Sequence, residues 1–470
     1  MKRIFTLAVA TLIFMTVHSQ AWIEVGTGSN AINANYTIFS LLADPAGNIY
    51  AAGGFTNGPV YYSGYSYVTK WNGTTWATVG ADSASALNAN NSIYSLTQDL
   101  SGNIYAAGNF TDIYGQQYVA KWNGTAWGEL GIDSVALGAT APIYCITTDP
   151  TGNVYAAGDF IDTFGNRYVA KWNGSAWSRL GTDSVNGLDA DSTIYALATD
   201  LQGNVYAAGS FIDSLGFFYV AKWNGTKWAE LGTDSNALHA NGAIYALLTD
   251  TSGHIYAAGD FYDTLGNFYI AKWNDSTWVE LSNPLLDQTA IFGGPIYALT
   301  FDSVGHIYAG GMIPDTNGNF FHVVEWDDSM LITADHNGQN PLYANASIQA
   351  MTTDKYGNIY AAGQFTDNND SMYVAEFTYN VPNGIMPVYT DHMSIYPNPT
   401  SGIIYINADH LSGTATIEVL DGLGRTLYSQ ATDGGTIQTS LNMSGFAPGV
   451  YTLLIRDGSN MNMTKRIVRD

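Results

Sequence analysis

From Ile38 to about Asn380 the chain repeats nearly the same phrase seven times. Each copy runs close to Ile-Tyr-Ala-Leu-x-x-Asp-x-x-Gly-Asn-Ile-Tyr-Ala-Ala-Gly-x-Phe, then Tyr-Val-Ala-Lys-Trp-Asn-Gly-x-x-Trp-x-x-Leu-Gly. A marker glycine recurs at Gly47, Gly102, Gly152, Gly203, Gly253, Gly305 and Gly357. A period of roughly fifty residues built from strand-type units indicates a propeller or a solenoid, since one unit cannot bury its apolar face alone.

Short β-branched and aromatic runs between turn residues divide each unit into four strands. In the copy opening at Ile194 these are expected at Ile194–Thr199, Asn204–Phe211, Phe218–Trp223 and Lys227–Leu231. Asp200 to Asn204 closes the first hairpin, with a carboxylate to accept backbone N–H bonds and Gly203 to take the strained angle. Asn224-Gly225, repeated at Asn72-Gly73, Asn123-Gly124 and Asn173-Gly174, predicts a type I′ turn with two positive φ angles. Four antiparallel strands per unit describe a propeller blade.

The fourth strand separates a closed ring from an open stack. Its signature, Trp-x-x-Leu/Val-Gly, occurs at Trp76, Trp127, Trp177 and Trp228, with degenerate versions at Trp278 and Leu331. The seventh unit instead runs into Val381-Pro382-Asn383-Gly384, and the missing copy stands near the other end, at Trp22-Ile23-Glu24-Val25-Gly26. The expected fold is all-β: a seven-bladed β-propeller closed by an N-terminal strand, followed by a small β-sandwich domain. Closure also removes the exposed edges a linear stack would leave.

Composition agrees, with 50 glycines, 13% aromatic and only 12% charged residues, and no helical periodicity outside the leader. All twelve tryptophans fall at two repeat positions flanking the third turn, which predicts packing between blades. The lone Cys145 replaces Ala or Ser in a first strand and is expected to be a small buried core residue. A net charge of −24, with Lys70, Lys121, Lys171, Lys222 and Lys272 spread around the ring, disfavours nucleic acid and anionic membrane as partners.

Lys2 and Arg3 precede an apolar run from Ile4 to Val17, and Val17-His18-Ser19 suits signal-peptidase cleavage before Gln20. The run is too short for a membrane anchor. Residues 1–19 are therefore expected to be a signal peptide, 20–380 the propeller, 381–393 a linker and 394–470 a separate β-domain. That last segment carries Tyr396-Pro397-Asn398-Pro399, the turn Gly422-Leu423-Gly424-Arg425, then Pro448-Gly449-Val450-Tyr451 and a basic end through Lys465-Arg466. It resembles the type A C-terminal sorting domain of type IX secretion cargo. The resemblance implies Sec export, recognition by the type IX machinery, passage across the outer membrane and removal of the domain, leaving a cell-surface or secreted product. The repeats resemble propeller repeats of the SBBP and NHL type, which host many activities and so imply little function.

A search for chemistry returns no catalytic set. The eight histidines are scattered, without zinc-type spacing, and no Gly-x-Ser-x-Gly elbow occurs. His254 and His306 read as tolerated substitutions at a turn position that is elsewhere Asn, while Glu325 and Glu376 in place of Lys read as decay of the repeat. One constellation suits binding. The loop between strands two and three carries a repeated Asp, at Asp112, Asp162, Asp213, Asp263, Asp315 and Asp367, and shares one rim with Asp82, Asp133, Asp183 and Asp234. Such a rim would attract Ca²⁺ or a cationic partner, or each Asp would simply cap its own turn. No cofactor is required by the sequence, and Ca²⁺ is the one ion the rim would suit. The expectation is a monomeric, non-catalytic propeller that binds an extracellular protein or glycan. The alternative is an extracellular metal-assisted lyase or hydrolase working at the mouth of the channel.

Overall fold

The computed structural model describes residues 22–58, 64–82, 84–181, 186–281, 293–303, 305–314, 320–326, 331–333, 342, 344–378, 393–396, 400, 402–420, 425–447, 449–456 and 462–469. The signal peptide and most of the linker expected from the sequence lie outside these residues, as do Asp183 and Asp315. Among the described residues there are seven four-stranded antiparallel sheets, six of them meanders in chain order and the seventh completed by the N-terminal strand. The fourth blade comprises Ile194–Thr199, Val205–Gly209, Ala221–Trp223 and Trp228–Glu230. The outer strands are shorter than expected because the chain leaves the ladder early. Phe218 instead bridges Ile212 on one side and Ala240, in the loop to the next blade, on the other.

Closure follows the expected scheme. Trp22–Glu24 pairs antiparallel with Met372–Phe377, making the N-terminal strand the outermost member of the seventh sheet. Val25, Ile38 and Phe55 pack in one core with Ala350, Tyr360 and Val374, joining the first blade to the seventh.

The core lies between blades. Each cluster draws on two successive sheets, as where Tyr155 and Ala157 pack against Ile194, Val205 and Phe211. Cys145 sits in this layer, and burial pushes its thiol pKa up. Successive blades approach closely because strand two is Ile/Val-Tyr-Ala-Ala-Gly, buried throughout in every blade with that motif. A Cβ on Gly53 would lie 2.0 Å from the Thr37 carbonyl oxygen, so glycine is required there. Indole N–H groups join the blades. Trp76, Trp127, Trp177, Trp228 and Trp278 donate from Nε1 to the carbonyls of Val25, Val79, Leu130, Leu180 and Leu231, each in the preceding blade, at 2.7–2.9 Å.

The Asn-Gly turn corrects the type I′ expectation. Four residues, not two, separate the paired Trp71 and Trp76, and among Asn72 and Gly73 only the glycine has positive φ. Asn72 Oδ1 holds the turn by accepting from the Thr74 and Thr75 amides. The asparagine acts through its side chain rather than its backbone.

The C-terminal domain is a five-stranded sheet. Its long strands Ile403–Leu420 and Thr426–Asn442 pair along their length with irregularities near Ala408, Leu411 and Thr414. A single core joins Ile404 and Ile406 from one half with Val419, Leu453 and Ile467 from the other. The core is thus shared by strands of one continuous hydrogen-bonded sheet.

Candidate functional site

One face of the ring is formed by the loops between strands two and three and those leading to the next blade. Asn90, from the loop entering the second blade, accepts from the Thr111 amide and donates to its hydroxyl. Among the described residues the repeated aspartates stand on this rim and each caps its own turn. Asp112 Oδ1 accepts from the Tyr114 and Gln116 amides, Asp213 from Leu215 and Phe217, Asp263 from Leu265 and Asn267, and Asp367 from Asn369 and Ser371. Asp162 does the same for Phe164 and Asn166 and also meets Arg179. Against the opposing effect of burial, these amides and the guanidinium hold the Asp162 carboxyl below its usual range. The rim is acidic elsewhere: burial, then Asp112 and Asp133, raise the pKa of Glu129.

What the capped turns display is apolar. Tyr114, Phe164, Leu215 and Leu265 sit two residues after the capping Asp and are 81%, 84%, 72% and 75% exposed. Side chains exposed to that degree add little to the core, and four in successive blades form a crown on one side of the face. The seventh blade breaks it, with Asn369 in that place. Sequence reading found the aspartates but not the tips they position, because alternation of residue types does not reveal which turn residue faces water.

Nearer the axis, the second residue of strand one is a bulge in all seven blades. Phe39, Tyr94, Tyr144, Tyr195, Tyr245 and Tyr297 occupy it, half-buried, with successive rings 5.3–5.5 Å apart. Gln349 interrupts this aromatic collar in the seventh blade. A cavity of about 380 Å³ between the first two blades is lined by collar Tyr94 together with Tyr36, Ser66, Asn90, Asn91 and Ser92.

The opposite face holds the hairpin turns between strands one and two. In most blades the turn Asp binds a following Asn and a Tyr hydroxyl, as Asp149 does with Asn153 at 2.6 Å and Tyr155 at 2.9 Å. A lysine from strand three lies over that tyrosine, Lys171 being 5.6 Å from the Tyr155 centroid. The sixth blade departs from this pattern. His306 takes the Asn place and Glu325 the Lys place, and His306 Nδ1 lies 3.1 Å from Asp302 Oδ2 and 3.0 Å from Glu325 Oε1. Hydrogen bonds to Asp302 and then Glu325 push the His306 pKa up to about 10. Among the described residues this is the one group of three with metal-ligating atoms all within 4.8 Å of one another. The expectation of no metal ligands, with His306 tolerated and Glu325 decayed, treated separately two residues that the sheet register brings together.

No curated protein matches the sequence. By structure, the chain is similar to PorZ of Porphyromonas gingivalis, an essential bacterial surface component of the type IX secretion system. TM-score is 0.50 at 15% identity, covering 92% of this chain and 59% of that one. It is also similar to the extracellular domain of BT4673 from B. thetaiotaomicron, with TM-score 0.51 at 15% identity, covering 88% of this chain and 47% of that one. The chain thus spans roughly half the length of both, and the likeness shows the fold alone. No helix among the described residues is long and apolar enough to cross a membrane. The family model of the secretion system C-terminal sorting domain matches residues 394–469. Behind a β-propeller, residues 394–469 therefore belong to the C-terminal sorting domain family of the type IX secretion system.

Proposed function

We propose that the propeller is a non-catalytic module that, once exported, binds an extracellular protein or glycan through the face carrying the capped turns. The observation that carries this reading is the crown of exposed apolar tips at Tyr114, Phe164, Leu215 and Leu265. Rigid turns that hold large side chains in water are suited to burying them against a partner, and aromatic anchors dominate such contacts. The collar and the polar cavity lie toward the same face and offer stacking surfaces to a sugar.

The test is binding of the exported protein to a glycan array and to intact bacterial cells, compared with a variant in which all four tips are Ser. Loss of binding by tenfold or more, with an unchanged melting temperature, is expected; that corresponds to about 1.4 kcal/mol or more. Undiminished binding by the variant, or hydrolysis of the bound glycan, would overturn the reading.

A further inference from the structure

We propose that Asp302, His306 and Glu325 form a site for a divalent transition-metal ion of the zinc type in the sixth blade, with Asp302 Oδ2, His306 Nδ1 and Glu325 Oε1 as ligands. The same three places hold Asp44, Asn48 and Lys70 in the first blade, and Asp, Asn and Lys again in the second, third and fourth. The fifth has Asp250, His254 and Lys272, and the seventh has Asp354, Asn358 and Glu376. Both substitutions coincide in the sixth blade alone. The backbone is the same throughout: Tyr308 pairs with Glu325 as Tyr50 pairs with Lys70.

Charge separates the sixth blade from the rest. With lysine, one carboxylate faces one ammonium near each turn. In the sixth blade two carboxylates with 1% side-chain exposure meet at the His306 imidazole. Two carboxylates brought together in a buried place repel one another and favour a cation between them. A divalent ion on a neutral imidazole balances both carboxylates. In the seventh blade, which has Asn358 in place of a histidine, the Tyr360 hydroxyl lies between the two carboxylates, 3.0 Å from Glu376 and 3.2 Å from Asp354.

Geometry points the same way. Ligand atoms about 2.0–2.2 Å from a metal stand roughly 3.0–3.5 Å from one another, and the two His306 contacts have that length. Asp302 is oriented in advance, since its Oδ1 accepts from the Gly305 and His306 amides at 2.8 and 2.9 Å, turning Oδ2 to the imidazole. His306, with its side chain 26% exposed, leaves a path for the ion and for water ligands. A nitrogen donor with two carboxylates suits zinc or manganese better than calcium, which takes oxygen ligands.

The test uses the whole chain, treated with EDTA and then titrated with ZnCl₂ or CaCl₂, reading metal content by mass spectrometry and melting temperature. One zinc per chain and a zinc-dependent rise in melting temperature are expected. His306→Asn with Glu325→Lys restores the pattern of the first four blades and should fold while losing both. If that double variant unfolds, His306→Asn alone decides, because Asn358 already sits beside Asp354 and Glu376 in the seventh blade. His254→Asn, at the matching place in the fifth blade, should keep the full zinc response. No bound zinc in the wild type, a response to calcium alone, or a zinc response that survives His306→Asn would overturn the proposal.

Discussion

Trp22 and Phe377, 355 positions apart in the chain, share a register position in the seventh blade, with ring centroids 5.3 Å apart and planes inclined by 32°. Phe377 is fully buried, so the N-terminal strand covers a core residue as well as pairing an edge. Trp22→Ala is expected to cost about 2–4 kcal/mol and to lower the melting temperature by several degrees. Deleting Trp22–Gly26 should do more and promote association through the bared edge of Met372–Phe377. Calorimetry and sedimentation check both, and an unchanged transition in a monomer would contradict the seam.

The rim aspartates should behave as caps. Asp213→Asn and Asp263→Asn keep an oxygen acceptor and should change stability little, whereas the corresponding Ala variants should each cost about 1 kcal/mol. Calcium should leave the melting temperature of the wild type and of the Asn variants unchanged. A calcium-dependent rise lost in the Asn variants would instead make these carboxylates ligands.

Acid should destabilise the hairpin turns of the other face. Burial works against the charged forms of Asp99, Asp149 and Asp250, but hydrogen bonds from Asn103, Asn153 and His254 outweigh it and lower all three pKa values. A carboxyl with a depressed folded pKa contributes stability that is complete above its unfolded value, about 3.9, and disappears as pH falls through the folded value. The melting temperature should therefore fall steeply below about pH 4. Asp149→Asn should start lower and show a shallower decline, measured by circular dichroism from neutral pH downward.

The sorting domain predicts where the chain goes. A protein ending at His392 should accumulate in the periplasm, while the full chain should reach the exterior without residues 394–469. Fractionation and intact mass of the exported protein read this out. Export of the shortened protein, or an exported species retaining Arg469, would count against sorting by this domain.

The blades, the seam at Trp22 and the tail are legible in the sequence, because each is written in local periodicity or in a motif. The sixth-blade group was not legible. His306 and Glu325 are 19 residues apart and each looks like drift from the consensus when taken alone. Only the pairing of Tyr308 with Glu325 shows that the two changes meet at one point. The Asn-Gly turn misled for a related reason: the dipeptide suits a two-residue hairpin, but the paired tryptophans on either side impose a longer loop. The exposed tips at Tyr114 and Phe164 escaped notice because sequence records that a turn residue is apolar and not which way the turn aims it.

The indole bonds between blades give the ring a direction. Each tryptophan leans on the blade before it, from Trp76 on Val25 to Trp278 on Leu231. In the sixth blade the register puts Leu331 opposite Trp326, the place a tryptophan holds in the first five, and a leucine side chain carries no N–H. A linear array of repeats frays from its ends, but a ring has none, and it must part first at whichever boundary is held least. That place need not be the seam where the termini meet. Amide exchange should be fastest along the junction of Trp278–Leu281 with the sixth blade, so that a chain written as seven like verses comes undone mid-poem, and not at its first or last line.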